Sequence, residues 1–124
     1  MVQEVPQISD AEWQVMKVIW ANSPVKASEV IDELANTSHW KPKTIKTMLR
    51  RLVDKKVLGY YQEGKSYLYY PIVSERDSIK AESDFFLKKV FNGSLNLMLA
   101  SFIEEEKLSQ PEIEQLRRIL DDKE

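Results

Sequence analysis

The chain has 124 residues, 43% of them hydrophobic and 31% charged, an ordinary globular mixture with room for one compact domain or a small domain plus an appendage. It has no Cys and a single His, His39, which excludes disulfide scaffolds, thiolate metal sites, cysteine nucleophiles and multi-histidine metal centres. The net charge is −2, yet residues 1–73 carry 10 Lys+Arg against 8 Asp+Glu, residues 74–124 carry 8 against 12, and residues 41–65 alone reach +6. Phosphate binding follows local potential, so such a basic stripe is compatible with nucleic acid.

Ser9-Asp10-Ala11-Glu12 reads as a capping box, a Ser N-cap with Glu three residues on. Trp13, Met16, Ile19 and Trp20 then recur at helical spacing, with Val15 and Val18 widening the apolar side. They predict a largely buried first helix over 9–21, ended by Asn22-Ser23-Pro24. A second helix over 27–37 gathers Ala27, Val30, Ile31 and Leu34 on one face, with Glu29, Asp32 and Glu33 off it. Pro42 suits the first turn of a third helix over 42–55, where its missing N–H costs nothing. Stepping about 100° per residue, Ile45, Met48, Leu49 and Leu52 share one sector of that helix. Lys43, Thr47 and Arg50 lie opposite, and Thr44, Lys46 and Arg51 flank them.

The period then changes. Leu58–Gln62 and Ser66–Ile72 are rich in strand formers and flank the turn Glu63-Gly64-Lys65, which predicts a β-hairpin with Pro71 near a strand end or on an edge. Tyr60, Tyr61, Tyr67, Tyr69 and Tyr70 are expected to pack this sheet onto helices rather than to stack nucleobases. Trp13, Trp20 and Trp40 are expected in the core, and His39, with no partner ligands near it, is not expected to bind metal. Helical spacing returns from Ser74. One helix over 75–92 carries Ile79, Phe85, Phe86, Val90 and Phe91, and a shorter one over 94–106 carries Leu95, Met98, Leu99, Phe102 and Ile103. A last helix over 110–121 opens on the capping box Ser109-Gln110-Pro111-Glu112 and is expected to turn Ile113, Leu116, Ile119 and Leu120 inward.

The order is helix, helix, helix, hairpin, and five basic residues (Lys43, Lys46, Arg50, Arg51, Lys55) ride the helix directly before the hairpin. That is the arrangement of a winged helix-turn-helix. The expected fold is mainly α with a small β-hairpin wing, as a DNA-binding domain over 1–73 followed by a three-helix dimerisation segment over 74–124. A helix fits the major groove of B-DNA, where Lys and Arg reach phosphates or guanine edges and Thr can donate to either. Lys65, at the wing tip, can touch the adjacent backbone. A basic helical face alone is most often merely solvated; its position before a hairpin is what favours double-stranded DNA.

The C-terminal segment is too small to be stable alone. Its helices must fold back on the N-terminal domain or meet the same segment of another chain. A homodimer is the sharper expectation, because helix-turn-helix proteins commonly bind two-fold half-sites. Its candidate contacts are Phe86, Val90, Leu95, Leu99, Phe102, Leu116 and Ile119. A winged-helix protein–protein interaction module without DNA binding is the alternative. No nucleophile–base pair or metal cluster is apparent, so neither an enzyme nor a cofactor is expected. The opening MVQEVPQISDAEW lacks a basic stretch followed by an apolar core, and no apolar run approaches the ~20 residues of a membrane span. A cytoplasmic chain without membrane insertion is expected.

Three stretches, ISDAEWQVMKVIW, WKPKTIKTMLRRLVDKK with its wing, and LMLASFIEEEKLSQPEIEQLRRIL, resemble the penicillinase and methicillin-resistance repressors, and the resemblance covers essentially the whole chain. It implies a homodimeric winged-helix repressor of palindromic operators in front of β-lactam resistance genes and its own regulatory operon. It places DNA contacts on Lys43, Thr44, Lys46, Thr47, Arg50 and Arg51. It also implies inactivation by proteolysis when a membrane sensor detects a β-lactam. In that family the scissile bond joins Asn to Phe; the aligned bond here is Ser101–Phe102, with Ser in place of Asn. Cutting there would remove helices of the dimer interface. The cysteine-rich motif of the related copper-responsive repressors has no counterpart in a chain without Cys.

Overall fold

The computed structural model describes residues 5–123. The elements run α1 (Asp10–Asn22), β1 (Val25–Lys26), α2 (Ala27–Ala35), α3 (Pro42–Asp54), β2 (Leu58–Glu63), β3 (Ser66–Pro71), α4 (Glu75–Phe91), α5 (Leu95–Glu104) and α6 (Gln110–Asp122). This is a mainly helical fold with a small antiparallel sheet, the winged-helix pattern. The chain divides into two compact units after Glu82, inside α4.

In the first unit, local chemistry sets the start of α1. The Ser9 hydroxyl accepts from the Glu12 N–H at 3.2 Å, and the Ser9 N–H donates to Glu12 Oε1 at 2.9 Å. Behind this cap, Val15, Met16 and Ile19 join Val30 and Leu34 of α2 and Ile45, Met48, Leu49 and Leu52 of α3 in one buried core. Val57 and Leu58 close it at the base of the hairpin. Trp13, Trp20 and Trp40 pack against this core half-buried. The Trp20 indole donates from Nε1 to the Val73 carbonyl at 3.1 Å, and the Trp13 ring meets it edge-on at 5.4 Å.

The sheet has a third strand that the sequence does not announce. Its order is β1-β3-β2, with Val25 paired to Tyr69 and Lys26 to Leu68. Two residues are too few to display an alternating pattern. In the hairpin, Glu63 pairs with Ser66 around Gly64-Lys65, and Gly64 has φ +63°. A positive φ at the first loop residue is what Gly supplies in a type II′ turn. Pro71 ends β3 opposite Leu58.

The tyrosines correct one expectation. Only Tyr69 packs against the core; Tyr60, Tyr61, Tyr67 and Tyr70 stay exposed. Tyr60 and Tyr67 share the face of Tyr69 by register, but Tyr60 lies on the edge strand and Tyr67 toward the turn. They pair across the strands instead, Tyr60 edge-on to Tyr67 at 5.5 Å and Tyr61 tilted on Tyr70 at 6.2 Å. The Tyr70 ring lies where a Cβ on Gly59 would sit, so a side chain at 59 would displace that ring.

In the second unit, Asn92 and Gly93 take positive φ (52° and 84°) and separate α4 from α5. Ser94 caps α5, its hydroxyl accepting from the Leu97 N–H, and the Ser109–Glu112 box opens α6. At the other end of α5, Glu106 has φ +57° while the Lys107 N–H donates to the Phe102 carbonyl at 2.9 Å, a Schellman-type closure. No residue of α5 or α6 is buried. Within a single copy of the chain the apolar stripe of α6 stays open: Ile119 and Leu120 are 53% and 54% exposed, and Ile113 and Leu116 only half-buried. Two short helices and part of a third cannot enclose a core of their own. Among the described residues no helix is long and apolar enough to cross a membrane.

Candidate nucleic-acid interface

Helix α3 begins at Pro42, with Lys41 as an extended N-cap, and its apolar stripe of Ile45, Met48, Leu49 and Leu52 is buried. That burial fixes the rotation of the helix about its axis. Lys43, Thr44, Lys46, Thr47, Arg50 and Arg51 consequently all face outward and are exposed. The Thr47 hydroxyl donates to the Lys43 carbonyl at 3.0 Å, which commits its proton and leaves its lone pairs free to accept. Lys65 is also exposed, at the tip of the β2–β3 hairpin. The surface thus offers four cations and two hydroxyls from one helix, plus one cation from the wing.

Lys55 does not belong to this surface, although it counts among the helix's five basic residues in the sequence. It is the C-cap of α3, and its Nζ lies 2.6 Å from Glu12 Oε1 and donates to the Gln7 carbonyl at 3.1 Å. Among the described residues this is the one salt bridge, and it staples the end of α3 to the start of α1. Burial alone would raise the Glu12 carboxyl, but hydrogen bonds from Lys55 and the Ser9 amide, together with the Lys55 charge, hold it below its ordinary value.

A cleft beside α3 brings Lys46 together with Lys26 of β1 and with Ser66 and Tyr67 of β3. No local signal in the sequence links these residues, because the β1–β3 pairing spans more than forty positions. His39 is exposed, and among the described residues no group of three or more His, Cys, Asp or Glu is placed to hold a metal ion.

In the second unit, Ser101 and Phe102 sit inside α5, Ser101 half-buried and Phe102 36% exposed. Phe86, Val90, Leu95 and Ile119 are exposed, and Leu99 and Leu116 half-buried.

Comparison with known proteins adds to this geometry. The penicillinase repressor family matches residues 8–122. The penicillinase repressor of Bacillus licheniformis is 47% identical over 121 residues, covering 98% of this chain and 94% of the relative. The methicillin resistance regulatory protein MecI of Staphylococcus aureus (strain N315) is 40% identical over 117 residues, covering 94% and 95%. Among solved structures, the monomeric form of Bacillus licheniformis BlaI in complex with the blaP half-operator is 51% identical with a TM-score of 0.55, over 61% of this chain and 93% of that one. With the match running from Ile8 into the last turn of α6, the chain belongs to the penicillinase repressor family.

Proposed function

We propose that this chain is a dimeric transcriptional repressor that inserts α3 into the major groove of palindromic operators controlling β-lactam resistance genes. The observation that carries this reading is the outward basic face of α3, fixed by burial of its opposite side. Its relatives are repressors and regulators of penicillinase and methicillin resistance by name, and one was solved on a half-operator. Such a protein is a regulator, not an enzyme, and it works where its DNA is, in the cytoplasm.

Lys43, Lys46, Arg50 and Arg51 meet phosphates or guanine edges, Thr44 and Thr47 meet base edges, and Lys65 reaches the backbone from the wing. Two copies join through the apolar faces of the second unit, drawing on Phe86, Val90, Leu95, Leu99, Phe102, Leu116 and Ile119. Joining two half-site readers makes the second contact intramolecular, worth about 10²–10⁴ in avidity. Release follows when a protease linked to a membrane sensor cuts Ser101–Phe102 and so separates α6 and the end of α5 from the rest. That bond is helical, so cutting acts on a locally opened form.

Selection of bound sequences from random DNA by the full chain tests the reading. A palindrome is expected, bound with a steep salt dependence and weakened by Arg50→Ala. Recovery of no preferred sequence would refute it.

A further inference from the structure

The cleft beside α3 is an open space of about 350 Å³ walled by three parts of the first unit: Lys26 and Ser28 where β1 meets α2, Lys46 of α3, and Ser66 and Tyr67 of β3. We propose that this cleft seats a phosphate of the DNA backbone between Lys26 and Lys46, so that the interface extends past α3 and the wing tip onto β1 and β3. The proposal rests on the DNA-binding reading above and adds to it residues that reading does not use.

Two lysines from distant points of the sequence line one cleft, and among the described residues no carboxylate lines it. Among the described residues neither lysine forms a salt bridge. Like charges brought to one site repel, and an anion between them removes the repulsion. The nearest carboxylate in sequence, Glu29, accepts from the Lys26 amide at 3.0 Å but lines a different cleft, with Asp32 and Glu33. The hydroxyls of Ser28, Ser66 and Tyr67 are of the kind that donate to phosphate oxygens, and the first turn of α2 adds the positive end of its dipole. Lys46 stands on the exposed basic face of α3, so a duplex engaged by that face carries its backbone to the rim of the cleft. The register between β1 and β3 holds the arrangement: Lys26 pairs with Leu68, the residue after Tyr67.

The test uses the full chain, a labelled duplex enriched by it from random DNA, and a scrambled duplex of the same length, with affinity followed against salt. Lys26→Ala is expected to flatten the salt slope by about one unit on both duplexes, since phosphate carries no sequence information. Lys26→Arg is expected to restore the slope, and Tyr67→Phe to weaken binding to a lesser degree. Lys26→Met, which keeps the apolar stem, guards against a folding defect in the alanine variant. Arg50→Ala separates this idea from its parent. If Arg50→Ala weakens the enriched duplex while Lys26→Ala and Lys26→Met both keep the parental slope, the cleft holds no backbone phosphate and the proposal falls alone. If the unaltered chain binds neither duplex, the DNA reading fails and takes the proposal with it. If the Lys26 variants lose only the binding of inorganic phosphate, the cleft serves a free anion and the proposal is overturned.

Discussion

Between Ile8 and Leu58 the first unit buries thirteen apolar side chains, whereas α5 and α6 bury none and leave Leu95, Ile119 and Leu120 about half exposed. The contrast does not come from composition, since the second unit is rich in Phe, Leu and Ile. It comes from geometry. Three helices and a sheet surround a volume; two short helices and part of a third present a surface. The first unit is therefore complete by its own packing, and the second is an apolar face that gains stability only when covered. In our reading a second copy of the chain covers it.

The widest test of that contrast is to end the chain after Glu82, which keeps Ser78, buried at the start of α4, with the unit it packs in. Operator affinity should fall about 10²–10⁴-fold, while the unfolding midpoint of the remaining unit becomes independent of protein concentration. Unchanged affinity would mean that the exposed helices are not an assembly surface. Next in size, Leu52→Ala should cost about 2–5 kcal/mol in denaturant unfolding, because it opens a cavity in a closed core. The matched change Ile119→Ala should stay within about 0.5 kcal/mol for the monomer and act on self-association, read by sedimentation. A large monomer effect at Ile119 would erase the distinction between the units.

A smaller effect concerns acid. The folded state holds the Glu12 carboxyl below its ordinary value of 4.5, so its contribution is present above that pH and is lost as pH falls below it. Lys55 is 38% exposed, which limits the pair to about 1 kcal/mol. Stability of Glu12→Gln followed against pH should therefore vary less than the parent's below about pH 4.5; an identical acid limb would remove the staple from the account. Smallest is Glu106→Gly. A non-glycine residue at φ +57° carries left-handed strain, and its relief should stabilise the end of α5 by about 0.5–1 kcal/mol, seen as slower amide exchange there. No change would show that the strain is already offset locally.

What could be read from the sequence is what depends on neighbours. The caps Ser9 and Ser109, Pro42 in the first turn of α3 and the stripe Ile45–Leu52 are local, so the helices and the outward face of α3 follow from them. Strand β1 depends on a partner at Leu68–Tyr69 and left no trace. The diversion of Lys55 depends on Glu12, forty-three positions away, and a helical wheel sees only α3. The tyrosines mark strands, but strand propensity does not say which of them the helices cover. Periodicity in α6 likewise reveals a stripe without saying what lies over it.

Trp20 grips the Val73 carbonyl just beyond the sheet, and β1 ties β3 along the side away from β2. The wing is thereby clamped at its root to the helix behind the core. In our reading, a duplex arriving at α3 meets a hairpin already aimed. The conformational freedom such aiming removes is lost when the chain folds, so it does not oppose association. On that reading, loosening the Trp20 indole would leave every basic side chain in place and still slacken the grip on DNA.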